Sequence, residues 1–135
     1  MPKDKKSIFS LKKRIYYHDT DCGGVVYYAN YLKHLEEART EFFLSKKINL
    51  KDLAEKKIFF VVRKAEIFYK APLYYADVVK IFTQIDKLTS TSINFYQWIE
   101  KEKKINLEAK IQLVCINEKF KPQLIPPFVL TKLKT

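Results

Sequence analysis

Only one stretch of this chain carries the period of a long helix. Tyr28, Tyr31, Leu32, Leu35, Ala38, Phe42 and Phe43 recur at spacings of three and four, with Lys33, Glu37, Arg39 and Glu41 mostly off that stripe. The pattern predicts a helix from Tyr28 to about Ser45. Asn49 is placed to cap a short second one over "LKDLAEKK". The rest reads as strands. "IFSLKKRIYY" from Ile8 precedes the helix. After Lys57 come "IFFVVRKAEIFYKA", long enough to bend or bulge, then "DVVKIFTQIDKL", "SINFYQWIEK" and "INLEAKIQLVCIN". Pro72, "TST" at 89–91 and "EKK" at 102–104 separate them, and the tail holds Pro122, Pro126 and Pro127, which no central strand tolerates. Short connections make neighbouring strands antiparallel. One striped helix then has one place to go, against one face of a sheet of about five strands. That is an α+β architecture.

Size and composition fit a single domain over residues 1–135, with a basic arm at 1–7. A chain of 135 residues buries roughly 68% of its unfolded surface. With 47% hydrophobic and 15% aromatic residues it is not a disordered chain. Its longest apolar runs, "IFFVV" and "LIPPFVL", fall far short of a membrane span, so no membrane insertion is expected. Met1 to Ser7 is polar and leads into no apolar signal region, which points to the cytoplasm. Cys22 and Cys115 match no zinc or redox spacing and read as reduced thiols. The net charge of +11 fits either a solvated lysine surface or an anionic ligand. A nucleic-acid partner is disfavoured. Only Arg14, Arg39 and Arg63 among the 26 basic residues are arginine, and the lysines are scattered.

Both glycines of the chain stand together, at Gly23 and Gly24, between a strand end and the helix start. Glycine permits positive φ and close approach of another group to the backbone. The first turn of a helix offers unpaired N–H groups and partial positive charge. The glycines would therefore open a path to the amides near Val26, Tyr27 and Tyr28, with Asp19 and Asp21 at its mouth. A carboxylate facing such a helix end is a hydrolytic arrangement: one group activates water or attacks, the other takes developing negative charge. Aspartate before glycine is also ordinary turn chemistry, and spacing alone leaves both readings open. His18, Asp19, Asp21 and Cys22 are too close along one strand end to converge on a metal, and no metal ligand is assigned.

The stretch "YYHDTDCGGVVYYANYLKHLEEARTEFF" resembles the signature of the YbgC-type acyl-CoA thioesterases, in the 4-hydroxybenzoyl-CoA thioesterase branch of the hotdog superfamily. Asp19-Thr20-Asp21, Gly24-Val25-Val26-Tyr27, Asn30-Tyr31-Leu32 and Glu36-Glu37-Ala38-Arg39 carry the likeness. "TSTSINFYQWI" and "KPQLIPPFV" extend it, so that it covers roughly residues 10–130. It implies the hotdog fold, one long central helix wrapped by a curved antiparallel sheet. It implies hydrolysis of the thioester of an acyl-CoA, or of an acylated acyl carrier protein, without a cofactor. The alternative within the superfamily is a noncatalytic acyl-binding or scaffold protein linked to phospholipid synthesis and the cell envelope.

Residue by residue, the resemblance makes Asp21 the catalytic carboxylate, base or nucleophile. It makes the Tyr28 backbone amide the oxyanion donor. Gly23, Gly24, Val25 and Tyr27 would bind the thioester, and Ser90 and Thr91 the CoA moiety. Relatives commonly have histidine where this chain has Tyr28, a change that spares a backbone role. Asp19 reads as a brace of the loop, and His18 and His34 as surface or satisfied histidines. Tyr27, Tyr31, Phe59 and Phe60 fit an acyl tunnel or the core equally well. A homodimer or homotetramer is expected, because relatives build their sites between subunits.

Overall fold

A computed structural model describes residues 7–21 and 23–135. Apart from Ser7, the basic arm lies outside the described residues, and so does Cys22. The chain forms β1 (Phe9–Arg14), a 3-10 turn (Tyr17–Asp19), α1 (Asn30–Ser45), α2 (Leu50–Glu55), β2 (Phe59–Tyr69), β3 (Val78–Leu88), β4 (Ser92–Lys101), β5 (Lys104–Ile116) and α3 (Pro127–Leu133). The five strands make one antiparallel sheet in the order β1-β3-β4-β5-β2.

Alternation along the strands decides which face is covered. Ile81, Thr83 and Ile85 on β3 stand beside Ile99, Gln97 and Phe95 on β4, and these beside Leu107, Ala109 and Ile111 on β5. This face meets the α1 stripe of Tyr31, Leu35, Ala38, Phe42 and Phe43, all buried. The opposite face carries Lys80, Glu100 and Lys110 around Phe82 and Trp98, whose rings stack at 5.0 Å. The bend anticipated in the long strand is a break in register between Val62 and Lys64. Asn49 caps α2 through its side chain, accepting from Lys51 and Asp52. The β4–β5 hairpin turns on Glu102 and Lys103, both at positive φ (51° and 66°), the twist that a two-residue hairpin requires.

Three boundaries differ from the sequence expectation. The helix starts at Asn30 rather than Tyr28, because residues 27–29 form a tighter turn: Asn30 N donates to Tyr27 O at 2.8 Å and Tyr31 N to Tyr28 O at 3.4 Å. The first strand stops at Arg14, after which Ile15 N pairs with Asp77 O and the 3-10 turn begins. The tail is not irregular throughout. Pro127 opens α3, where its missing N–H costs nothing, and Val129 and Leu133 seal the core. Among the described residues no helix is long and apolar enough to cross a membrane.

Candidate active site

The turn that holds Asp21 is built by its own hydrogen bonds. Thr20 bridges to Val26, Asp21 N donates to Val25 O at 3.0 Å, and Gly24 N donates to Asp21 O at 3.0 Å. Gly24 sits at φ 76°, in the left-handed region that favours glycine. A Cβ there would meet nothing within 4 Å, so its conformation rather than its missing side chain explains it. Gly23 has a different reason. Its N–H donates to Asp21 Oδ1 at 2.9 Å, and a Cβ on it would come within 3.4 Å of that same oxygen. The carboxylate is exposed, and among the described residues Oδ2 has no protein partner.

The hairpin is sewn to the segment before β3. Val26 N donates to Leu73 O at 2.8 Å, Tyr75 N to Gly24 O at 3.0 Å, and Val25 bridges to Tyr74. The chain then enters α1 through Tyr28. Among the described residues the Tyr28 and Ala29 amides donate to no acceptor. Two free N–H groups thus stand at the positive end of a 16-residue helix. The same turn that aims Asp21 outward delivers these amides a few residues later.

Residues 16–133 match the pattern of the thioesterase-like superfamily. The chain belongs to that superfamily. It is 36% identical over 95% of its length to the acyl-CoA thioester hydrolase YbgC of Escherichia coli O6:H1, of which it covers 97%. It is 32% identical over 87% of its length to the acyl-CoA thioesterase YbgC of Haemophilus influenzae, of which it covers 88%. A probable thioesterase from Bartonella henselae has the same fold, with a TM-score of 0.85 and 34% identity over 89% of this chain and 100% of that one. The hotdog fold and the YbgC likeness read from the sequence are borne out.

Beside the Asp21 turn, this thioesterase-family chain opens a groove of about 320 Å³ lined by Val25, Val26, Tyr28, Tyr31, Tyr69 and Pro72, with Lys70 at its side. Its wall is phenolic. Tyr28 and Tyr69 meet edge to face at 6.4 Å, and the Tyr69 hydroxyl donates to Tyr28 O at 3.2 Å. Burial raises the Tyr69 phenol above its ordinary value, and the nearby Tyr28 adds to the rise. Tyr31 is a core residue whose hydroxyl accepts from Leu73 N at 3.2 Å; Phe60 stacks on Phe43 at 5.9 Å. Tyr27 is half-exposed against Tyr28, and its phenol is raised mainly by a hydrogen bond with Tyr28.

Asp21, Gly23, Gly24, Val25, Tyr27 and Tyr28 therefore belong to one hairpin turn and the helix entry that follows it. Ser90 and Thr91 do not join them within one chain. They form the β3–β4 turn, where Thr89 Oγ1 accepts from Ser92 N at 2.9 Å. Asp21 lies near the other end of β3, which ten residue steps at ~3.4 Å each put on the order of 30 Å away.

Asp19 is buried, and its Oδ2 accepts from Tyr16 N at 2.9 Å. Its carbonyl accepts from Asn30 Nδ2 at 2.9 Å and from Tyr27 N at 3.4 Å. His18 is exposed, with Nδ1 3.4 Å from Asp19 Oδ1. His34 corrects the expectation of a satisfied or surface residue. It is 1% exposed, and among the described residues neither ring nitrogen has a hydrogen-bond partner. Burial first, and the Lys13 charge second, push its pKa down to about 4 against the pull of Asp19. The signal in the sequence was its place on the helix, one position before the stripe residue Leu35, on the side that faces β1.

Proposed function

We propose that this chain is a cytoplasmic acyl-CoA thioesterase in which Asp21 and the Tyr28 amide act on the thioester, with the working unit a homodimer or a dimer of dimers. The observation that carries the reading is the pairing of an exposed, turn-held carboxylate with free amides at a helix N-terminus. The thioester carbonyl oxygen would sit at the Tyr28 N–H, which holds the negative charge of the tetrahedral intermediate. Asp21 would take the proton of the attacking water, or attack the carbonyl carbon itself and be released by water. Either way the C–S bond breaks, the thiol of CoA leaves protonated, and a carboxylic acid remains.

The groove supports an acyl-CoA more than a free polar substrate, because apolar and phenolic surface surrounds a single lysine. The names of the relatives support the same substrate class. Association is supported by β2. It is an edge strand of 11 residues that pairs only with β5 among the described residues, with Val62, Phe68 and Tyr69 exposed along it. Tyr69 also lines the groove, so a second copy seated along β2 would close it. Ser90 and Thr91 remain candidates for the CoA moiety through such an assembly, and an acylated carrier protein remains a candidate donor of the acyl group.

The test is thiol release from a panel of short-chain, long-chain and aromatic acyl-CoAs, with the mass in solution measured at assay concentration. Turnover on at least one member by a dimer or larger species is expected. No release from any member, with Asp21→Asn indistinguishable from the parent, would sink the reading.

A further inference from the structure

Beneath the Asp21 turn lies a buried group that the reaction above does not use. His34 is on the second turn of α1, buried with Asp19 and Glu37 beside it and Lys13 of β1 nearby. Its Nε2 is 3.6 Å from Asp19 Oδ1, and its Nδ1 is 3.8 Å from Glu37 Oε1. Both separations are slightly too long for hydrogen bonds, and among the described residues both nitrogens are unpartnered. A buried polar atom left without a partner is costly, so a structure that keeps two of them on one ring asks for an explanation.

Asp19 supplies it. This one residue ties both arms of the site: its carboxylate holds Tyr16 before the turn, and its carbonyl holds Tyr27 and Asn30 after it. Asp21 is two residues from it, and the Tyr28 amide follows Tyr27. Whatever fixes the Asp19 side chain fixes the distance between carboxylate and oxyanion donor.

We propose that His34 is a positioning residue of the thioester-cleaving site: as a neutral Nε2–H imidazole it donates to Asp19 Oδ1 when substrate draws the turn inward, locking Asp21 against the Tyr28 amide. The proposal rests on the reading of Asp21 and Tyr28 given above. Catalytic hydrogen bonds are often long in the free enzyme and shorten in its complexes, and here a shift of a few tenths of an ångström suffices.

The surrounding charges select the tautomer. Glu37 is half-exposed and already paired with Lys13 from β1. Asp19 is buried, and among the described residues its Oδ1 has, besides His34, only the exposed His18 near it. The stronger demand for a donor is therefore on the Asp19 side. Burial first, then Lys13, Lys33 of α1 and His18, oppose a charged imidazole against the pull of Asp19, which keeps the ring neutral.

Two variants and one measurement on the parent test this. His34→Phe keeps volume and burial but removes the donor; His34→Gln retains an N–H. His34→Phe should lower kcat on the order of tenfold to a hundredfold, with KM changed less than about threefold, since small misplacement of reacting groups has that effect. His34→Gln should restore most of the rate. In the parent protein, nitrogen NMR shifts of the His34 ring should report the neutral Nε2–H tautomer, and they remain readable if His34→Phe fails to fold. A Nδ1–H tautomer, or a folded His34→Phe with unchanged kcat, would overturn the proposal. So would equal loss in both variants that tracks their loss of melting temperature, the mark of packing alone. An active Asp21→Asn would instead refute the site reading, and the ring tautomer would be unaffected by that result.

Discussion

Helix α1 passes through two different environments along its length. From Leu35 onward it sits in a region where polar groups are satisfied. Gln97 donates to Leu35 O at 3.1 Å and to Thr83 Oγ1 at 3.0 Å, while accepting from Arg39 Nη1 at 3.1 Å. Phe42, Phe43 and Phe95 meet edge to face around it at 5.6–5.8 Å. The segment from Tyr28 to His34, the entry and first turns of the helix, does the opposite. Among the described residues, free amides at Tyr28 and Ala29 and an unpartnered His34 stand there, with exposed tyrosines around them. The interior network spends its hydrogen-bonding capacity on holding the sheet to the helix. At the other end that capacity is unspent among the described residues. Polar satisfaction thus separates scaffold from site along one helix, where residue type alone would not, because both halves carry aromatic and charged side chains.

Breaking the site half alone gives the largest effect. Asp21→Asn keeps the Gly23 N–H bond to Oδ1 but removes the proposed base or nucleophile, and kcat should fall by ~10²–10⁴. Its melting temperature should match the parent, because the side chain is exposed. Thiol-release rates and a thermal melt on the same preparation check both halves of that statement.

Breaking the scaffold half should do the reverse. Gln97→Leu leaves the Arg39 guanidinium, the Leu35 carbonyl and the Thr83 hydroxyl short of a buried partner. A loss of ~2–3 kcal/mol in unfolding free energy is expected by denaturant titration, with turnover per folded molecule within a few-fold of the parent.

The pH dependence of stability sharpens the comparison from the His34 side. Its pKa in the folded chain is about 4, below the ordinary histidine value of 6.5. Between these values the unfolded chain binds a proton that the folded chain does not, so stability rises with pH across that window. The contribution is complete above about 6.5, declines as pH falls through that value, and levels off below about 4. That slope, worth ~3 kcal/mol by the shift of 1.36 kcal/mol per unit, should be missing in His34→Gln. Matched unfolding titrations from pH 4 to pH 8 read it directly.

The smallest effect belongs to Tyr28→Phe. It keeps the amide and loses only a hydroxyl that is 62% exposed with the rest of the ring. Turnover within about threefold of the parent is expected; a loss comparable to Asp21→Asn would move the role from backbone to phenol.

The sequence by itself determined the elements and the family. The α1 stripe, the alternation in β3 to β5, the Asn49 cap and the Asp-Thr-Asp and glycine motif are local patterns, written within a few residues of one another. Gly24 is legible for the same reason: its φ is set by its own turn. The tertiary structure alone decided which surfaces meet. Pro127 marked a tail that no central strand could hold, but not that it starts α3, which forms because Val129 and Leu133 have an open edge of the core to cover. Ser90 and Thr91 are polar and sit in a motif, but chain folding puts them at the far end of the sheet from Asp21. His34 and Asp19 are 15 positions apart and become neighbours only when α1 packs on β1 and the turn closes over both. Burial and unmet hydrogen bonds are properties of such meetings between distant segments, and no window of sequence contains them.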